Sequence, residues 1–210
     1  MIEIYTPTNF IPYCNTLASQ HIIFATIIKQ YGYPTPYTRP PTFATLVHII
    51  LEQQVSLASA KAAYNKLITK VGLITPHNLL ALSNEALKEC YCSKQKINYI
   101  RNVATAILQK QIVLSTFNQL TNQQVRDALL PIKGIGNWSV DVYLMMALQR
   151  LNLFPIADIA LVNSMKYELQ LPPHTTKEEL LCIANTWQPY LTIASFLLWH
   201  AYIIRKGIKV

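Results

Sequence analysis

Two of the chain's five glycines stand two positions apart in Leu130-Pro-Ile-Lys-Gly134-Ile-Gly136-Asn-Trp138-Ser-Val-Asp141. Between a helix ending near Leu129 and another starting near Asn137, such glycines let the backbone turn tightly and come close to a neighbouring group. The amides of residues 134 to 139 then lie at a helix N-terminus, where unpaired N–H groups and the positive end of the helix dipole suit a phosphate. Gly134, Gly136, Asn137 and Ser139 are the candidate phosphate-binding positions, with Lys133 adding a cation beside them. A bare Gly-x-Gly also serves an ordinary helical hairpin, so both readings stand on this pattern alone.

Other chemistry is sparse. Cys14, Cys90, Cys92 and Cys182 contain no Cys-x-x-Cys pair, and the nearby histidines lack the spacing that closes a tetrahedral zinc site; they read as reduced thiols. Eighteen basic against ten acidic residues give a net charge of +8. A field of that sign draws in polyanions, which makes the expected phosphate one of a DNA backbone. The same charge also keeps an apolar chain in solution, so it decides nothing by itself.

The elements that must carry these residues are helical. With 210 residues, 51% hydrophobic and 13% charged, the chain is globular rather than disordered. Apolar positions recur at helical spacing, without clean period-two alternation, which predicts an all-α fold of about ten helices. The most apolar stretches, 22–28 and 43–51, fall short of the roughly 20 residues of a membrane span. Nothing at the start resembles a secretory signal, so the expected location is the cytoplasm, without membrane attachment. Pro34, Pro36, Pro40 and Pro41 divide an N-terminal helix (about 14–30) from the remainder. Thr42 is a candidate cap for one long helix to about Lys70, closed by Gly72, and a shorter helix follows Pro76. Ser83 and Ser93 each open a helix, the second over 94–109, and the two form a pair. Thr121-x-x-Gln124 and Thr175-x-x-Glu178 read as capping boxes. Pro189 precedes a C-terminal helix to about Ile204. Asp158 reads locally as the cap of a helix over 159–167, and Asp141, one turn into the helix after the glycines, as a structural hydrogen-bonding residue. The expected division is a connector at 1–41 lying on the second lobe, a helical lobe at 42–150 that includes the hairpin at about 121–150, and a segment at 151–210.

Taken together, the ordered motifs say more than any one of them. Leu-x-x-Ile-x-Gly-Ile-Gly-x-Trp-Ser resembles the helix-hairpin-helix of the DNA glycosylase superfamily. Some 20 residues beyond Trp138, Phe154-Pro-Ile-Ala-Asp158-Ile-Ala-Leu is similar to that superfamily's catalytic-aspartate segment. Leu51-Glu-Gln-Gln-Val-Ser-Leu-Ala-Ser-Ala-Lys-Ala resembles its signature helix, and 187–199 resembles the C-terminal helix of the 3-methyladenine DNA glycosylase II branch. The resemblance runs over roughly 42–204 in the right order.

That resemblance implies a two-lobed helical enzyme with its cleft between the lobes. It implies hydrolysis of the N-glycosidic bond of alkylated purines, of the 3-methyladenine and 7-methylguanine type, in duplex DNA, leaving an abasic site. Asp158 would be catalytic, its carboxylate stabilising the oxocarbenium-like sugar and orienting water. Trp138 and Trp199 would wall the pocket that receives the everted base, with Tyr143 nearby. Trp138 stands where lyase-competent relatives carry a nucleophilic lysine, so no Schiff base is expected there. Gln54 corresponds to the position that fills the gap left by the flipped nucleotide, with Gln53 as its alternate. Backbone carbonyls of Leu130, Ile132 and Ile135 correspond to a monovalent-cation site for Na+ or K+. No other cofactor is implied, and the four-cysteine iron–sulfur spacing of the endonuclease III branch is missing. Trp187 reads as packing rather than pocket. The expected partner is damaged double-stranded DNA, met by a monomer. Departures are Val142, where relatives carry an aromatic, Leu191, where Arg is frequent, and Lys133, where Pro is common. Two rival readings are a helix-hairpin-helix DNA-binding protein without chemistry and a bifunctional glycosylase/lyase.

Overall fold

The computed structural model describes residues 2–208. Among them are twelve α-helices and one short 3-10 helix, with no strand beyond an isolated bridge between Ile4 and Arg150. The chain divides into two compact units, one running up to Thr38 and resuming at Leu144, the other Arg39–Tyr143.

The first unit is built on a C-terminal helix that is apolar on nearly every side. This helix, α12 (Leu191–Arg205), buries Ile193, Ala194, Phe196, Leu197, Leu198 and Trp199, the pattern of a helix surrounded by protein rather than lying on a surface. Against it lie α1 (Phe10–Gln20), α2 (Ile22–Tyr31) and α10 (Ile159–Glu168). Phe196 meets Tyr5 edge-on at 5.5 Å and Phe10 at 6.1 Å between ring centroids. Each such side chain taken fully out of water contributes about 1.5–3 kcal/mol. Thr176 caps α11 (Lys177–Asn185). Trp187 is 2% exposed and packs on Phe24 and Phe154, a core residue as expected.

In the second unit α3 (Phe43–Glu52) buries Leu46, Val47, Ile49, Ile50 and Leu51. It packs on α4 (Leu57–Val71) and α7 (Lys94–Leu108), while α5 (Pro76–Ala81) and α6 (Asn84–Glu89) also lie on α7. Ser83 and Ser93 cap α6 and α7 through the amides of Ala86 and Lys96. The box at Thr121 and Gln124 closes α8 (Asn122–Leu129) at its start. The following helix, α9 (Asn137–Met146), contains the division between the units.

Four expectations need correction. The single N-terminal helix is two, because His21 takes an extended conformation (φ −136°, ψ 109°); the break lets α1 and α2 fold back on one another, and both reach α12. The long helix from Thr42 is also two. Gln53 leaves helical geometry (ψ 121°), Gln54 enters the left-handed region (φ 56°), and Ser56 starts α4 afresh by accepting from the Ser59 amide at 3.2 Å. Thr42 precedes α3 but its side chain makes no capping bond. The last capping box sits one residue later than predicted, at Thr176 and Glu179, while the Thr175 hydroxyl donates to Pro172 O. Thr-Thr-Lys-Glu-Glu satisfies the template in either register, and the one adopted turns Leu180 and Ala184 inward.

Candidate active site

Asp158 ends a segment that is tied down along its length. Thr192, in the first turn of α12, takes the Leu151 carbonyl with its amide (2.9 Å), and its hydroxyl accepts from the Leu153 amide (3.3 Å). Phe154 is buried against Trp187 at 5.9 Å. The Asp158 amide then donates to Pro155 O at 2.8 Å, which turns the chain into α10. There the Asp158 carboxylate caps the helix, Oδ1 accepting from the Leu161 amide at 2.8 Å. The same oxygen accepts from the Trp199 indole N–H at 3.1 Å. Ser164 on α10 donates to Leu198 O on α12 at 2.6 Å and fixes the two helices one residue from that contact. Asp158 is half-buried, whereas Ala157 and Ile159 on either side are exposed. The result is an ionisable carboxylate fixed in orientation by two N–H donors and reachable at a surface.

Trp199 is 8% exposed and stacks on Phe196 at 5.8 Å between centroids. Most of its ring is therefore committed to the core, and its nearest chemical role is to hold Asp158.

The second unit carries the other candidates. The hairpin follows α8 and turns through Gly134 at φ 110°. A Cβ built there would lie 2.2 Å from the Tyr99 ring, so glycine is demanded by close approach as well as by conformation. At Gly136 a Cβ would meet nothing within 4 Å. Lys133, Gly136 and Asn137 are exposed, and Gly134 and Trp138 half-buried. Ser139 is 2% exposed and its hydroxyl accepts from Gln53, so its side chain is turned into the protein.

Side-chain amides clamp this hairpin. Asn102 Nδ2 donates to Lys133 O at 2.9 Å, and Gln53 Nε2 donates to Gly134 O and to Ser139 Oγ, both at 2.9 Å. Gln53 is thereby held between α3 and α9, while Gln54 stands exposed at the apex of the turn. Lys96 Nζ donates to Leu51 O at the end of α3, and Arg39 grips Glu52 through two bonds at 2.9 and 2.6 Å. The turn at 53–56 is thus braced from three sides. No local sequence pattern announces those long-range partners.

One further carboxylate, one phenol and the hairpin carbonyls complete the account. Asp141 pairs with Arg126, and burial holds its carboxyl above the usual value against the pull of that guanidinium. Tyr143 has no exposed surface and meets Phe117 edge-on at 6.2 Å, which puts it in the core rather than along a pocket wall. Among the carbonyls expected to hold a cation, that of Ile132 accepts from the Ile135 amide at 3.0 Å; Leu130 is 38% exposed and Ile135 buried. Val142 and Leu191, the two positions that depart from the resemblance, are both buried.

The sequence matches the family described as HhH-GPD superfamily base excision DNA repair protein over residues 47–189. It is 30% identical to the alkylbase DNA glycosidase-like protein mag2 of Schizosaccharomyces pombe, over 88% of this chain and 90% of that protein. It is 29% identical to a putative DNA-3-methyladenine glycosylase, YfjP, of Bacillus subtilis, over 74% of this chain, and the match spans 57% of that longer protein. Among solved structures, the Schizosaccharomyces pombe 3-methyladenine DNA glycosylase Mag1 in complex with abasic DNA superposes with a TM-score of 0.82 at 25% identity, covering 90% of this chain and 95% of that one. A family match over more than half the chain, together with the superposition on a solved 3-methyladenine DNA glycosylase, establishes that the chain belongs to the HhH-GPD superfamily of base excision DNA repair proteins.

Proposed function

We propose that this protein is a monofunctional DNA glycosylase that everts an alkylated purine from damaged duplex DNA and hydrolyses its N-glycosidic bond. The observation that carries the reading is Asp158, a half-buried carboxylate oriented by the Leu161 amide and the Trp199 indole. A fixed carboxylate stabilises the positive charge that develops on the sugar as the bond lengthens. N3- or N7-alkylated purines are already cationic. The C1′–N bond breaks with its electron pair returning to the base, which leaves neutral; water oxygen bonds to C1′, and the water's proton passes to solvent. No second acid is required for that leaving group. Trp138, at the start of α9, offers no amine for a Schiff base, which supports hydrolysis without strand cleavage.

The amides of Gly134, Gly136, Asn137 and Ser139, together with Lys133, would bind backbone phosphate, and Gln54 at the exposed turn would enter the vacated stack. The carbonyls of Leu130, Ile132 and Ile135 would hold Na+ or K+. The carbonyls fit that role: Ile132 O uses one lone pair on the Ile135 amide and keeps a second for the ion. Such an ion would add positive charge where phosphate is bound. The reading is completed by action as a monomer, in the cytoplasm at the nucleoid.

The test is release of methylated bases from alkylated duplex DNA. Wild type should liberate free base and leave intact strands with abasic sites, and Asp158→Asn should lose that activity while still binding DNA. Retained activity in Asp158→Asn would remove the catalytic assignment. Borohydride trapping of wild type on DNA would show a lyase step and end the monofunctional reading.

A further inference from the structure

Beside the hairpin, α7 and Lys133 enclose an open groove lined by Lys94, Gln95, Asn98, Tyr99, Asn102 and Lys133. No carboxylate lines it, two residues are cationic, and three are carboxamides, each offering N–H donors beside its carbonyl acceptor, so the wall can meet an anion without like-charge repulsion. The floor is fixed. Tyr99 lies under Gly134, where even a methyl group would overlap its ring, and its hydroxyl accepts from Gln95 Nε2 at 2.5 Å. Asn102 anchors the far end by donating to Lys133 O at 2.9 Å. The adjoining depression shares Asn102 and Lys133 but carries Asp127, which bounds the anion-compatible stretch on that side.

Lys94, Asn98 and Asn102 recur every four residues and so form one stripe along α7. At 1.5 Å of rise per residue, the stripe covers roughly 12 Å of helix axis. Phosphates of one DNA strand recur every ~3.4 Å of duplex axis. A stripe of this length tracks more than one of them, and it is continuous with the hairpin through Lys133. We infer that the groove between α7 and the hairpin is a second binding site for the phosphodiester backbone of DNA, extending the hairpin's grip along the strand with Lys94 as its outer cation. The inference rests on the glycosylase reading for its ligand, and it assigns Lys94, Asn98 and Asn102 a role in recognition that the chemistry at Asp158 does not need.

Salt dependence of binding tests it, because each phosphate neutralised contributes a slope of about −0.9 to log K against log salt. The probe is a duplex with a tetrahydrofuran abasic-site analogue, titrated by fluorescence anisotropy at several KCl concentrations. The proteins are wild type, Lys94→Gln and, as a control two residues beyond the C-terminal end of α7, Lys110→Gln, each checked for an unchanged thermal melt. Lys94→Gln should lower the slope by about 0.9, removing roughly a three- to fourfold part of the affinity change between 50 and 200 mM salt. Lys110→Gln should leave the slope as it is. An unchanged slope for Lys94→Gln, or an equal fall for both variants, would overturn the inference. Base release by wild type from methylated DNA, measured on the same preparations, fails only if the glycosylase reading itself is wrong, so the two failures are separable.

Discussion

The indole N–H of Trp199 donates to Oδ1 of Asp158 across 3.1 Å, and the two residues stand 41 positions apart on helices that Ser164 locks together. Hydrogen bonds to a charged group are worth about 1.5–3 kcal/mol. Trp199→Phe leaves a smaller aromatic ring to stack on Phe196 and deletes the donor. Single-turnover base release should therefore slow by roughly 10- to 100-fold, with affinity for an abasic-analogue duplex little changed. A loss confined to binding would place Trp199 in the pocket wall rather than behind the carboxylate.

Gln53 and Gln54 are neighbours with opposite commitments. Removing the Gln53 amide in Gln53→Ala leaves Gly134 O and Ser139 Oγ without their donor, at a cost of about 1–3 kcal/mol visible in a urea melt. Gln54 is exposed and strained at φ 56°. Gln54→Gly should therefore raise stability by about 0.5 kcal/mol or leave it level, while base release falls because nothing fills the vacated stack. If Gln54→Gly turned over as fast as wild type, the filling role would pass elsewhere.

The contrast between these two glutamines marks where sequence reading ends. The hairpin, the caps at Ser83, Ser93 and Thr121, and the aspartate that opens α10 were legible because each depends on residues within a few positions. The break after Glu52 carries no Gly or Pro, since its cause is tertiary: Gln53 is drawn to a hairpin 81 residues away. His21 breaks its helix for a similar reason, as two short helices cover α12 where one long one would run past it. Arg126 with Asp141, and Tyr99 under Gly134, depend equally on distant packing. The candidate site was readable as a set of residue types, and its supporting hydrogen bonds were not.

Acidification should act on His48. Its ring stacks on Tyr64 at 4.2 Å, Glu52 lies 3.6 Å away and Arg39 stands beside them. Burial is the largest influence and lowers its pKa below the ordinary 6.5, with Arg39 adding to it and Glu52 opposing. A histidine with a depressed pKa in the folded state takes up its proton more readily when unfolded, so stability is intact above pH 6.5 and declines as pH falls from there toward the folded value. His48→Phe keeps the stacking and removes the titration. Melting temperatures of the two proteins from pH 8 to 5 should run parallel above 6.5 and diverge below it, with wild type falling faster. Parallel curves throughout would show that His48 does not titrate differently in the two states.

The two hairpin glycines should separate fold from ligand. At Gly134 a methyl group would lie 2.2 Å from the Tyr99 ring, on a backbone with φ 110°. Overpacking and strain together predict a loss of about 2–6 kcal/mol for Gly134→Ala, enough to unfold a marginal domain. At Gly136 the same methyl group meets no protein atom within 4 Å, so Gly136→Ala should melt close to wild type. Its methyl would point into space that a bound phosphate needs if the backbone at that turn is what approaches DNA. Gly136→Ala should accordingly bind an abasic-analogue duplex at least tenfold more weakly, about 1.4 kcal/mol, while remaining folded. Normal binding by a folded Gly136→Ala would mean that the second glycine only eases the start of α9, and the phosphate would have to be sought at Lys133 and the groove on α7.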